Sequence, residues 1–103
     1  MIKVSVLYPN SAGAEFNADY YCESHIPMVM KKLGSACKNV AVEIGLCGIV
    51  QEVPAIYIAM GHLYFDSLEK FQESFGPHAE EIMSDASNYT NVEPMVQISE
   101  VKI

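Results

Sequence analysis

The sequence predicts an α+β domain in which helices cover one face of a four-stranded antiparallel sheet. Two observations predict it: four segments alternate in hydrophobicity with a period of two, and two segments between them carry helical spacing and capping residues. Their order is strand, helix, strand, strand, helix, strand, which is typical of the ferredoxin-like βαββαβ arrangement. The chain has 103 residues, enough for one compact domain, so a single domain over residues 1–103 is expected.

The four strands are predicted at residues 2–8, 39–46, 56–65 and 95–103. The third strand is the most apolar, and its period of two divides it into two faces. One face carries Ile56, Ile58, Met60, His62 and Tyr64, and the other carries Tyr57, Ala59, Gly61, Leu63 and Phe65. Because both faces are largely apolar, we expect neither to remain in water.

The first helical segment, residues 17–33, is expected to break in its middle. Asn17 or Asp19 can cap its first turn. Pro27 has no N–H group and disfavours the α conformation at the residue before it. We therefore expect one helix to about His25 and a second that starts at Pro27 and ends at Gly34.

The second helical segment is expected to start at a capping box. Asp66 and Ser67 are capping residues, and Glu69 follows Asp66 by three positions. Gly76 and Pro77 interrupt the segment, and a short helix is predicted after them.

The composition predicts a second subunit. Half of the residues are hydrophobic and only 18% are charged, so a small monomer would leave much apolar surface in water. The sheet face without helices is the expected contact, which makes a homodimer through that face the predicted assembly.

The net charge and the short apolar segments argue against nucleic acid and membranes as partners. The net charge is −7, which opposes binding to nucleic acid or an anionic membrane. No run reaches the roughly 18 apolar residues of a transmembrane helix, and the chain opens directly with a strand pattern, so the cytoplasm is the expected location. The three cysteines lack a Cys-x-x-Cys spacing, which favours buried free thiols.

His25 is the first candidate for chemistry. Histidine is the side chain that most readily gains and loses a proton near neutral pH, and Tyr21 stands one helical turn away on the same face. The alternative is a histidine that only ties the helix break in place by a hydrogen bond to a loop carbonyl.

His62 and Tyr64 are the second candidate pair. They share a strand face with Ile58 and Met60. If that face lines a cavity between subunits, they are convergent polar groups in an apolar pocket. If it packs onto a partner, they are interface residues, and the sequence leaves both interpretations open.

No metal or cofactor is required by the sequence. His25, His62 and His78 show no metal-ligand spacing, and no phosphate-binding or nucleophile motif is present. Haem with His25 or His62 as axial ligand is a less favoured alternative.

Four segments resemble the EthD family, whose members are small proteins encoded with the oxygenase system for ethyl tert-butyl ether degradation. The resemblance covers essentially the whole chain, and its most specific part is the second of these segments. They are the strand from Lys3 to Asn10, Phe16-x-x-x-Tyr20-Tyr21-x-x-x-His25-x-Pro27, Leu63-Tyr64-Phe65-Asp66-Ser67, and Asp85-x-x-Asn88-Tyr89-Thr90.

The resemblance implies a dimeric α+β barrel, in which two sheets face each other and a cavity lies in or beside each sheet. Similar barrels host cofactor-free monooxygenases, cyclases, isomerases and decarboxylases, so the fold does not choose the reaction. We expect an enzyme, or a protein accessory to an oxygenase, that acts on a small apolar or aromatic compound in an oxidative pathway.

In this interpretation His25 moves a proton, Tyr21 or Tyr64 hydrogen-bonds a substrate oxygen, and His62 assists. The expected pocket residues are Met28, Ile58, Met60 and Leu63. Two alternatives remain: a non-catalytic module that binds a hydrophobic ligand, and a dimeric scaffold whose core between the sheets is filled.

Overall fold

The computed structural model describes all 103 residues and has the predicted architecture. Its four strands form one antiparallel sheet in the order β2-β3-β1-β4, and all helices lie on one face of it. The strands are β1 (Ile2–Pro9), β2 (Asn39–Ile44), β3 (Tyr57–Phe65) and β4 (Met95–Glu100). This is a ferredoxin-like fold, as predicted.

The strand register separates two faces of the sheet, as the alternation predicted. Val4 pairs with Leu63, and both pack against the helices; we call this side the helix face. The neighbouring pair, Ser5 and His62, points to the opposite side, which no helix covers. We call that side the open face; it carries Lys3, Ser5, Leu7, Met60, His62 and Tyr64.

The first helix corrects the expected break at Pro27. Helix α1 is continuous from Ala18–Tyr20 through a π-helical turn, Tyr21–His25, into Ile26–Leu33. The N–H of Ile26 donates to the carbonyl of Tyr21, five residues back. Such a wide turn gives the proline ring room and tolerates its missing N–H, so the helix continues instead of ending.

The ends of α1 are the predicted ones. The side chain of Asn17 accepts a hydrogen bond from the N–H of Tyr20 at 3.0 Å, which satisfies one of the free donors of the first turn. Gly34 ends the helix with a φ of +63°, a left-handed conformation that strains any residue with a Cβ.

The second helical segment is divided in two, also as predicted. Helix α2 (Leu68–Phe75) is followed by a 3₁₀ turn (Gly76–His78), helix α3 (Ala79–Ser84) and a second 3₁₀ turn (Asp85–Asn88). The cap is Ser67, whose Oγ accepts from the N–H of Lys70 at 3.1 Å. The expected capping box of Asp66 and Glu69 does not form, because the cap lies one residue later. Strands β2 and β4 also end earlier than expected, at Ile44 and Glu100.

Two packed clusters hold the helices on the sheet. In the first, Val4, Leu63 and Phe65 of the sheet contact Val29, Leu33 and Ile82 of the helices. Tyr8 and Ala59 of the sheet form the second with Tyr21, Ile26 and Tyr89. Each buried aliphatic side chain contributes about 1.5–3 kcal/mol, so the clusters fix the position of α1 over the sheet. None of the helices combines the length and the hydrophobicity that a membrane-spanning helix needs.

Candidate functional site

A cavity of about 270 Å³ lies between the helix face of the sheet and the three helices. Val4, Val6, Gly61 and Leu63 form its floor, and most of its other lining side chains are hydrophobic. Met83 and Val96 also line it, although they are 67% and 60% exposed. The cavity therefore opens to the surface between α3 and the edge strand β4.

His25 lies in the wall of this cavity and is held by a carboxylate. The residue is only 5% exposed. Its Nδ1 is 2.8 Å from Oδ2 of Asp85, and because a carboxylate only accepts, Nδ1–H is the donor. The neutral imidazole then has its lone pair on Nε2.

Asp85 is itself anchored by two further donors. The hydroxyl of Tyr20 and the amide of Asn88 each donate to Oδ1 at 2.8 Å. Burial by itself would raise the pKa of Asp85, but the hydrogen bonds from Asn88, His25 and Tyr20 outweigh it and hold that pKa below its ordinary value. The group is therefore an anion at neutral pH that orients His25 and stabilises a positive charge on its ring.

The other ring nitrogen of His25 has accessible surface. Nε2 takes part in none of the side-chain hydrogen bonds, whereas every fully buried side-chain nitrogen and oxygen has a partner. Because the ring is almost completely buried and lines the cavity, we infer that this accessible atom faces the cavity. His25 thus presents a proton acceptor to the cavity while Asp85 supports it from behind.

Three tyrosines lie at the same end of the cavity. The hydroxyls of Tyr8 and Tyr89 are 2.9 Å apart and share a hydrogen bond. The ring of Tyr21 stacks on His25 with centroids 5.3 Å apart, as their four-residue spacing predicted. Burial raises the pKa of Tyr8, Tyr21 and Tyr89 above the ordinary value, so all three stay protonated and can donate hydrogen bonds.

Gly61 makes room for one of these hydroxyls. A Cβ built on Gly61 would collide with the hydroxyl oxygen of Tyr21. A glycine in the middle of a central strand commonly marks such a close approach. The glycine therefore lets the Tyr21 side chain reach the floor of the cavity.

The structure brings together only part of the residue set that the sequence suggested. His25, Tyr21 and Leu63 all line the cavity. Met28 does not line it, and packs instead against the cluster that contains Val29. Met60, His62 and Tyr64 lie on the open face, so the sheet separates them from His25. Ile58 lies where the strand register shifts; it packs against the cluster that contains Tyr8 and Tyr21 and does not line the cavity.

His62 has a hydrogen-bonded network of its own on the open face. Its Nδ1 is 2.9 Å from Oγ of Ser5, and its Nε2 is 3.2 Å from Oε1 of Glu43. Tyr64 borders a more polar depression of about 410 Å³ on the same face. The two histidines therefore occupy different environments on opposite sides of the sheet.

Sequence reasoning missed Asp85, Tyr8 and Tyr89 as site residues. Asp85 is 60 positions from His25 in the chain, and no local spacing links them. The one available signal was the segment Asp85-x-x-Asn88-Tyr89, which resembles the family pattern. The structure contains no group of three or more His, Cys, Asp or Glu side chains arranged to hold a metal ion.

The fold and the site define a ferredoxin-like domain with an apolar, histidine-containing cavity between its sheet and its helices. The EthD domain model matches residues 11–93. The chain belongs to the EthD family.

One solved structure agrees with this assignment, and a second shares the fold. An EthD-like protein of Ralstonia eutropha JMP134 is 45% identical, with 99% of this chain and 92% of that chain covered and a TM-score of 0.94. The ethyl tert-butyl ether D (EthD) family protein of Bacillus halodurans C-125 is 16% identical, with 98% of both chains covered and a TM-score of 0.69.

A more distant structure shares the fold alone. It is described as a dimeric ferredoxin-like protein of unknown function from Thermobifida fusca YX, and it is 15% identical with a TM-score of 0.59. The match covers 97% of this chain and 90% of that chain. No protein of curated function matches the chain.

Proposed function

We propose that this protein acts on a small apolar or aromatic compound in an oxidative degradation pathway, as a cofactor-free enzyme that transfers a proton or as an accessory to an oxygenase. The observation that carries the proposal is the pair of His25 and Asp85 at the wall of an apolar cavity. The name of the Bacillus halodurans relative, which refers to ethyl tert-butyl ether, supports the pathway class.

The geometry supports His25 as the proton carrier. Nε2 accepts a proton from the ligand, and Asp85 stabilises the imidazolium that forms. Because the cavity is apolar, a charge that develops inside it interacts strongly with the few polar groups present. Tyr21 is placed to donate a hydrogen bond to a ligand oxygen, where negative charge would collect.

The test is turnover of candidate compounds by purified protein. We would incubate wild type and His25→Ala with small ethers, phenols and aromatic ketones, with and without oxygen, and follow products by mass spectrometry. We expect wild type to form product, and we expect His25→Ala to form it about 10²–10⁴-fold more slowly. Full activity of His25→Ala would exclude the assignment, and His78→Ala is the control because His78 does not line the cavity.

The second candidate function is a non-catalytic module that carries or senses a hydrophobic ligand. It is favoured by the lining of the cavity, in which few side chains are polar. Reversible, saturable binding without any chemical change in the bound compound would establish it. The same incubations distinguish the two functions, because the bound compound can be extracted and analysed.

We propose that two copies of the chain pack through their open faces and form a dimeric α+β barrel. Leu7, Met60 and Tyr64 are only partly buried there, with no helix over them. The β2–β3 connection adds Leu46, Ile49 and Ile56, which are 93%, 100% and 74% exposed. In this arrangement His62 and Tyr64 are interface residues, which is one of the two roles that the sequence left open.

A further inference from the structure

His25 supplies a hydrogen-bond acceptor at the polar end of the cavity when its ring is neutral. Nε2 has accessible surface and no partner, and in the neutral imidazole whose Nδ1–H donates to Asp85 the lone pair lies on Nε2. A ligand group that binds Nε2 of the neutral ring has to donate a hydrogen bond.

The same end also contains at least one free donor. The hydroxyl of Tyr8 is 2.9 Å from that of Tyr89 and also lies close to that of Tyr21, so the three form a row with Tyr8 in the middle. Three hydroxyl groups in a row can form two hydrogen bonds with each other at most, so at least one O–H is left over. None of the three donates to His25 or to a backbone carbonyl. The remaining O–H is therefore available to a ligand.

The cavity contains no formal charge. No Lys, Arg, Asp or Glu side chain lines it. Asp85 binds the His25 ring at Nδ1 and does not line the cavity. An anionic ligand would lose its hydration with no Lys or Arg side chain to pair with, and the carboxylate of Asp85 would repel it.

We propose that the ligand of this cavity is a small, neutral aromatic alcohol. Its hydroxyl group donates to Nε2 of His25 and accepts from the tyrosine cluster, so one oxygen atom satisfies both groups. A ketone or an ether would leave Nε2 without a donor. The apolar ring occupies the part of the cavity lined by Phe71, Phe75 and Leu63.

The size of the cavity restricts this class further. A volume of about 270 Å³ is just below the roughly 300 Å³ at which pockets for drug-sized ligands begin. One or two fused rings fit that space. The inference rests on the proposed function, because it concerns the same cavity, and it adds which chemical group the cavity recognises.

The first experiment compares four probes of nearly equal shape by isothermal titration calorimetry. They are 2-naphthol, 2-methoxynaphthalene, naphthalene and 2-naphthoate. The methyl ether keeps the acceptor oxygen and loses the donor, so we expect 2-naphthol to bind at least about fivefold more tightly than the ether or the hydrocarbon. The carboxylate is expected to bind most weakly. Equal affinity for 2-naphthol and its ether, or no binding of any probe, would overturn the proposal.

The second experiment assigns the preference to the cavity. His25→Ala is expected to make the affinities for 2-naphthol and its ether equal. Tyr21→Phe or Tyr89→Phe is expected to lower the affinity for 2-naphthol by about fivefold. Tyr64→Phe is the matched control, because Tyr64 lies on the open face. If Tyr64→Phe lowered the affinity for 2-naphthol as much as the cavity variants do, the proposed site would be wrong.

These results separate the inference from the proposed function. A hydroxyl preference that depends on His25, in a protein that turns nothing over, would keep the ligand class and leave the non-catalytic module as the function. Turnover that depends on His25 without any hydroxyl preference would reject the ligand class and keep the proton-transfer enzyme.

Discussion

The hydroxyl group of Tyr21 occupies the space that a side chain on Gly61 would fill. The two residues belong to different layers, helix α1 and strand β3, and their contact sets how closely the helix approaches the floor of the cavity. The π turn that begins at Tyr21 and the glycine in the central strand therefore serve one local arrangement.

The first prediction concerns this contact. Gly61→Ala is expected to reduce the free energy of unfolding by about 1–3 kcal/mol, because the Tyr21 ring or the strand has to move. Urea denaturation measures the change. Gly76→Ala is the control, since a Cβ at Gly76 meets no atom within 4 Å, and it is expected to be neutral or slightly stabilising.

A double variant shows whether the hydroxyl is the cause. Without this oxygen the nearest Tyr21 atom would be 3.4 Å from the new Cβ, which is close to ordinary contact. Tyr21→Phe is therefore expected to recover most of the stability that Gly61→Ala removes. If the stability lost in the double variant equalled the sum of the losses in the two single variants, the explanation would be wrong.

The second prediction concerns Asp85 and acid. The folded pKa of Asp85 lies below its ordinary value, since the hydrogen bonds from Asn88, His25 and Tyr20 outweigh the opposing effect of burial. Its contribution to stability is therefore complete above the ordinary carboxyl pKa of about 4, and it is lost as the pH falls through the lower folded value. Asp85→Asn is expected to destabilise the protein by about 1 kcal/mol at neutral pH.

The measurement is the difference in the free energy of unfolding between wild type and Asp85→Asn, from neutral pH to about pH 3. Taking the difference removes the contribution of the other carboxylates, which both proteins contain. The difference should shrink as the pH falls below about 4. A difference that stays constant over this range would mean that the charge of Asp85 does not stabilise the fold. Glu93→Gln is a suitable control because Glu93 is exposed and forms no ion pair.

The third prediction concerns the buried tyrosines and base. Burial raises the pKa of Tyr8 and of Tyr21, so the folded protein holds these protons more tightly than the unfolded chain. Their contribution to stability is complete below the ordinary tyrosine pKa of about 10 and decreases above it. In an alkaline titration, part of the tyrosinate absorbance should appear only together with the loss of circular dichroism.

Tyr8→Phe tests the assignment, because it removes the more central of the two phenols. Its stability should decrease less steeply above about pH 10 than that of wild type. Complete ionisation of all tyrosines in the folded protein would contradict the prediction, since buried phenolates would then be tolerated.

The fourth prediction concerns the proposed dimer. Met60→Asp places a charge in the middle of the open face and is expected to convert the dimer to a monomer, because a carboxylate without a cationic partner is costly to bury between two facing sheets. Analytical ultracentrifugation measures the molecular mass in solution. Met30→Asp is the matched control: Met30 is 42% exposed on α1, and this variant should stay dimeric. A monomeric wild type would exclude the dimer.

The sequence by itself determined the strands, their order and the two faces of the sheet. The alternation in β3 placed Leu63 and Phe65 opposite to His62 and Tyr64, and the structure has the same division. Such patterns are reliable because a side chain's face depends only on the local backbone period. The spacing of Tyr21 and His25 was informative for the same reason.

Only the tertiary structure decided what meets at the site. Asp85 reaches His25, Tyr8 reaches Tyr89, and Gly61 admits Tyr21 because helices and strands dock at one particular distance and angle. No local period encodes that docking, which results from the packing of the whole core. The sequence did not predict that α1 continues through Pro27, because the preference of a proline for a helix start is a local property. The packing of Ile26 and Val29 on the sheet favours a single continuous helix with one widened turn.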